Sequence, residues 1–322
     1  MSGGWLAGKV AAALVTLVFV LIFNFFLFRV MGDPTTQLAR LPNSTPEEIE
    51  KLRADYGIDK PILGQFADYA GDTVRLDLGI SQRSREPVWD EIKKALPWTL
   101  LLVGTGTLLA TIIGSWLGVV AATRRGKKTD SRLMNFSLFT YAAPEYWIGI
   151  ILILVFAWWI PILPAGQQVT PGVEFSSWFS EALDVAEHLI LPATAMTLML
   201  LGQYFLIMRS SMVDVLTEDY ITVKRATGLP WERVVRSHAV PNALLPLVTL
   251  AAIQFGVVAG GAVTIETIFS WPGLGELSFN AINDKDFPVL QGTFLVFSVG
   301  VIVANLLADC LYFFLDPRVQ SR

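Results

Sequence analysis

Long apolar runs, broken by short polar links, set the pattern of this chain. A hydrocarbon core about 30 Å thick takes about 20 apolar residues in a helix. Six stretches meet that length: Val10–Val30, Pro97–Ala122, Leu133–Ile160, Leu189–Met208, Leu244–Phe269 and Val289–Leu315. The pattern predicts an all-α integral membrane protein with six spans. The first run is longer than the apolar part of a secretory signal, and no small-residue cleavage site follows it, so it reads as a retained anchor. Between the first two runs lies a longer polar region, 31–96. There STPEEIEKLRADYG has a capped, acidic start and closes on Gly57, which predicts an amphipathic helix. DTVRLDLGIS reads as extended, with Gly79 at a turn. REPVWDEIKKALP leads back toward the membrane.

Composition agrees with this pattern. Of 322 residues, 53% are hydrophobic and 16% charged, against about 25% charged in soluble domains. The net charge of −4 gives no reason to expect a nucleic-acid partner. The single cysteine, Cys310, cannot form an internal disulfide. Two histidines and no HExxH or paired CxxC leave no metal site to expect.

The charges in the links set the direction of the spans. TRRGKKTDSR and the segment Asp219–Pro246 are basic. Pro161–His188 has no Lys or Arg but carries Glu174, Glu181, Asp184 and Glu187. The link after the fifth run sets Lys285 against Glu276, Asp284 and Asp286. Basic and acidic links therefore alternate, which predicts both termini in the cytoplasm. The predicted organisation is an N-terminus and first span over 1–30, an external segment over 31–96, a five-span core over 97–315 and a tail over 316–322.

Polar residues inside spans are costly and usually face protein or water. Asn24, Asn135, Glu145, Gln203, Gln254, Glu266, Asn305 and Asp309 form this set. Glu145 follows Pro144, and two roles stay open for it: pairing against a neighbouring helix, or lining a hydrated path. Glu145, Gln203, Gln254 and Glu266 are the candidates for such a path. Small residues four apart in GSWLG (Gly114, Gly118) and in GVVAGG (Gly256, Gly260, Gly261) permit close helix approach. That approach is either within the chain or along a seam with a second subunit.

The polar segment DYITVKRATGLPWERVVRSHAVPNALLP, 219–246, reads as a helix pair. Gly228 ends the first helix in a left-handed conformation, and Pro230 suits the first turn of the second. Trp231, Val234, Val235 and His238 fall on one stripe, flanked by Arg233 and Arg236, and Pro241 stops the helix. Such a helix can lie on lipid headgroups or dock on a cytosolic partner. Fixed Gly and Pro framing at both ends suits a lever better than a floating helix.

This segment resembles the coupling motif of bacterial ABC-importer permeases, in the branch that carries peptides or nickel. Arg225, Ala226, Gly228, His238, Ala239, Asn242, Ala243, Leu244 and Pro246 carry the likeness. RVMGDP, YGIDKPILGQF, LDLGIS, LPWTLLL, ETIFSWPGLGEL and NLLADCLYFFLDPRV extend it along the chain. The segment departs from the pattern at Pro230, where relatives often have Ser, and Glu145 is not a standard family residue.

The resemblance implies a type I importer permease forming half of a translocation path in the cell membrane. It implies a coupling helix at 219–243, carried by Arg225, Ala226, Gly228, Pro230, Trp231, Val234, Val235, His238 and Asn242. The implied partners are a second homologous permease, two ATPase subunits, an extracytoplasmic substrate-binding protein and a peptide substrate. Glutathione or nickel complexes are the alternative cargo within the same family. No GxxxxGK[ST] loop is present, since GTGTLLAT lacks the lysine, so ATP and Mg belong to the ATPases. No HExxH or GxSxG motif supports an enzyme. The rival class is an ion-coupled transporter or channel using Glu145 and Glu266.

Overall fold

The computed structural model describes residues 3–31, 60–247, 250–251 and 262–315. The expected helix in STPEEIEKLRADYG and the GVVAGG motif lie outside the described residues. Among the described residues four helices are long and apolar enough to cross a membrane, or five if one sharply bent pair counts as a span. They show no regular strand, only one bridge between Ile80 and Pro87. The chain divides into two compact units, Met1–Pro97 with Leu277–Ile302, and Trp98–Glu276 with Val303–Arg322.

In the first unit, α1 (Gly3–Met31) presents Leu14, Val15, Val18 and Phe19 outward, as a lipid-facing helix must. Its one deeply placed polar side chain, Asn24, is fully buried. Its amide donates to the Tyr69 hydroxyl at 3.0 Å and to the Gln291 carbonyl at 3.1 Å. Tyr69 belongs to α2 (Ile62–Val74) and packs with Phe66 around Phe25, at ring-centroid distances of 5.6 and 5.5 Å. DTVRLDLGIS is therefore only partly extended: Asp72, Thr73 and Val74 finish α2, and the chain straightens after Leu76.

Gly79 does turn, at φ +82°. Beyond it, the hydroxyl of Ser81 and the backbone N–H of Arg83 donate to the buried carboxylate of Asp286, at 2.6 and 3.0 Å. Asp286 stands immediately before α12 (Phe287–Leu315) and also accepts from Val289 N–H. A carboxylate there satisfies the free donors of the helix start and complements its dipole.

The second unit is organised around α6 (Trp178–Leu216), whose start is held by a reciprocal cap between Ser177 and Ser180. REPVWDEIKKALP contributes the opening turns of the spanning helix itself, α3 (Val88–Thr123), with Pro97 inside it. From Trp98 onward α3 packs closely on α6 through its glycines. A Cβ at Gly114 would stand 2.7 Å from the Tyr204 Cβ, and one at Gly118 would stand 2.7 Å from the Met208 Cβ. Gly114 and Gly118 thus serve packing within the chain.

The third expected span is two helices, α4 (Lys128–Ala142) and α5 (Glu145–Ile153), the latter extended by a π-helical turn to Trp159. They are bent by 101° at Ala143–Pro144. The residue before a proline is pushed out of the helical region, and Ala143 has ψ 135°. Run length cannot show such a break, because Leu133–Ile160 reads as one stretch of spanning length.

The base of α4 is pinned to α6 by an ion pair. Arg209 grips Asp130 with two hydrogen bonds, Nε to Oδ1 at 2.7 Å and Nη2 to Oδ2 at 2.8 Å. The same carboxylate accepts from Gly126 N–H at 3.1 Å. This bidentate geometry is the strongest form of such pairing.

Candidate functional site

α6 runs into the polar segment with only Thr217 and Glu218 between it and α7 (Asp219–Ala226). Thr227 closes α7, and Gly228 then takes φ +80° with open space around the position of a Cβ. Backbone conformation, not room, is what requires glycine there. Pro230 caps the next helix from outside, one residue earlier than the first-turn position its sequence suggests. That helix is α8 (Trp231–Val234), followed by a π turn over Val235–Ala239 and then α9 (Val240–Ala243).

Pro241 therefore does not stop the helix. It lacks an N–H and its ring crowds the carbonyl four residues back. The wider π turn just before it absorbs that conflict and lets the chain continue.

The expected apolar stripe divides between two sides. Val234 is fully buried and Val235 nearly so, in one core with Met212, Ile221, Ala239 and Ala243. The expectation that Val234 and Val235 fill a partner's groove is corrected: they hold the loop to its own chain. Trp231 stays 41% exposed, and His238 is half-buried. Arg225, Ala226, Pro230, Glu232, Arg233 and Arg236 are all exposed around Trp231. The Arg225 guanidinium carbon lies 5.1 Å from the indole centroid, a cation–π contact that restrains the exposed ring. At the far end of the loop, Asn242 donates to the Tyr220 hydroxyl at 3.0 Å and to the His238 carbonyl at 2.9 Å. Sequence reading named Asn242 but missed Tyr220, since one tyrosine in a short helix carries no spacing signal.

Residues 114–321 match the family described as binding-protein-dependent transport system inner membrane component. Residues 4–103 match its N-terminal companion. The chain belongs to this family. It is 34% identical over 331 residues to the dipeptide transport system permease protein DppB of Escherichia coli strain K12, with 98% of each chain covered. A di/tripeptide transport system permease protein DppB of Pseudomonas aeruginosa is 36% identical, with 99% of each covered. The glutathione transport system permease protein GsiC of Escherichia coli is 35% identical, covering 95% of this chain and 94% of that one. Among solved structures, a chain of the inward-facing MetNI methionine ABC transporter matches in fold, with TM-score 0.55 and 15% identity. The match covers 70% of this chain and 96% of that one.

In this permease the three path candidates among the described residues do not form one lining. Glu145 opens α5 immediately after the bend, half-buried and within reach of the Thr264 side chain. Gln203 is partly buried on α6, and Gln254 lies outside the described residues. Glu266, on the short helix α10 (Val263–Ile268), is fully buried, so it faces no aqueous path.

The partners of Glu266 explain its cost. Thr99 hydroxyl donates to Oε1 at 2.7 Å, while the N–H groups of Gly275 and Glu276 donate to Oε2 at 2.6 and 3.1 Å. Leu274 N–H donates in turn to the Thr99 oxygen at 2.7 Å. Three of the free donors at the start of α11 (Leu274–Asp284) are thus capped by side chains from elsewhere. A Cβ on Gly273 would overlap the Glu266 carboxylate, and one on Gly275 would stand 2.8 Å from its Oε2. The glycines of WPGLG therefore leave room for the carboxylate. Trp271, also fully buried, seals this turn by donating from Nε1 to the Trp98 carbonyl at 2.9 Å. LPWT and ETIFSWPGLGEL, far apart in the chain, form one structure.

Proposed function

We propose that this chain is the membrane permease subunit of an ATP-driven peptide importer, and that 219–243 is its coupling element toward the ATPases. The observation that carries the coupling role is the division of the loop. Its inner stripe is locked into the chain's own core, and Trp231 stands outward on Arg225 at the tip, as a docking anchor requires. The family supplies the frame: a second permease completes the path, two ATPases bind ATP and Mg, and a binding protein delivers cargo from outside. ATP-driven closure pushes the loop and rocks the spans, a transmitted difference between two conformations and no bond chemistry in this chain.

Relatives named for dipeptides, di/tripeptides and glutathione support short peptides as the substrate class. Glutathione is itself a tripeptide. The proposed topology has six spans, with both termini in the cytoplasm and 31–96 outside; part of the fifth expected span, Leu244–Phe269, lies outside the described residues.

The test is co-purification of the ATPase subunits with Trp231→Ala. Losing a hot-spot aromatic costs about 2 kcal/mol or more, so docking should weaken roughly thirtyfold while the permease still inserts. Normal recovery of the ATPases would place the docking surface elsewhere.

A further inference from the structure

We infer that Tyr220 and Asn242 form a clasp on the His238 carbonyl that makes the two arms of the coupling loop move as one body. This rests on the coupling reading above and assigns its positioning residues. A lever must not bend where it is loaded. The loop turns at Gly228, a left-handed residue with open space around it. Its arms are helices of 8 and 4 residues before the π turn, too short to be stiff by themselves. Ile221, Val234 and Val235 share one buried core that holds the arms together, but apolar burial is non-directional and does not by itself fix the angle at Gly228 when force is applied at Trp231.

A directional tie is present. Asn242 has two amide hydrogens and uses one on the Tyr220 hydroxyl and the other on the His238 carbonyl, at 3.0 and 2.9 Å. The Tyr220 hydroxyl donates to that same carbonyl at 3.2 Å, which closes a ring of three bonds. Tyr220 stands on α7, and Asn242 and His238 stand 22 and 18 residues further along. The ring thus joins the arms at the end opposite Gly228, while Arg225 on Trp231 joins them near the tip.

Both side chains are exposed. Water would satisfy their polar atoms if they separated, so folding does not need these bonds. What the ring supplies is a fixed angle between the arms.

The experiment uses the full-length chain in lipid nanodiscs, with Cys310→Ser and spin labels at Val223→Cys and Glu232→Cys, one on each arm. Tyr220→Phe, which removes only the hydroxyl, and Asn242→Ala should each broaden the distance distribution between the labels. In the assembled transporter each should raise the ATP hydrolysed per substrate moved roughly fivefold, the scale of one net hydrogen bond: each variant removes two of the three bonds, and water takes up part of the loss at these exposed side chains. The double variant should be no worse than either single one, because the bonds form one unit. An unchanged distribution, an unchanged ATP ratio, or additive effects in the double variant would overturn the clasp. The distance measurement needs no ATPase present. It therefore decides the clasp separately from the Trp231→Ala co-purification that decides the coupling role.

Discussion

Two carboxylates show how much a single residue's partners decide. Glu266 and Glu145 both read as costly charges in apolar runs. One proves to be the cap of another helix, and the other stands half-buried at a bend. Because Glu266 satisfies two backbone N–H groups and one hydroxyl, its loss leaves buried donors unpaired, at about 1–3 kcal/mol. Glu266→Ala should lower the thermal unfolding midpoint of the purified permease. Thr99→Ala should add less on top of Glu266→Ala than it costs alone, since the two share one network. Full additivity in a double-mutant cycle would show that the cap is not a unit. Asp130 and Arg209 make a second case. Removing one partner of a largely buried pair costs about 3–5 kcal/mol. Arg209→Gln should come toward the low end, because Arg209 keeps 22% side-chain exposure. The expected readout is lower recovery of folded protein from membranes, partly restored when Asp130→Asn removes the stranded charge.

At the scale of elements, helices were legible and their interruptions were not. Length and apolarity located α1, α3, α6 and α12, because a spanning helix must be both long and apolar. The 101° bend between α4 and α5 and the π turn before Pro241 each sit beside a proline, but a proline alone does not announce a break, because Pro97 in α3 and Pro192 in α6 lie inside continuous helices. In the polar segment 219–246 the turn was legible. Gly228 announced a left-handed residue and has one, at φ +80°. Gly228→Val should strain that turn by about 1–2 kcal/mol and redirect α8 without unfolding the buried Val234–Val235 stripe. The expected result is a permease that accumulates normally but couples hydrolysis to uptake poorly. Wild-type uptake per ATP with Gly228→Val would show that the angle at this turn does not matter.

For the whole molecule, the charges of the links make a prediction about sides. With Cys310 replaced, a cysteine at Ser176 should react with an impermeant thiol reagent added outside intact cells. Ser176 is exposed, and its use spares Ser177, whose hydroxyl caps α6. A cysteine at Lys127 should react only after the membrane is opened. The reverse pattern would turn the chain over in the membrane and put the segment proposed for coupling on the wrong side for an ATPase. The broad outward display of Leu108, Ile112, Trp116, Phe139 and Tyr146 is what a subunit surrounded by lipid and by other subunits should show.

Sequence alone determined that the chain is helical, membrane-embedded and built to carry a framed polar loop. Each of these rests on local chemistry: run length against bilayer thickness, the left-handed freedom of Gly228, and the density of charge in short links. Tertiary structure alone decided which apolar residues of the loop face inward. Val234 and Val235 have the spacing of a docking stripe, and only the position of Met212 and Ile221 shows that the stripe is already filled. The same holds for Glu266. Its partners lie 167 residues before it and 9 and 10 after it, and a buried charge takes its meaning from the donors that folding brings to it.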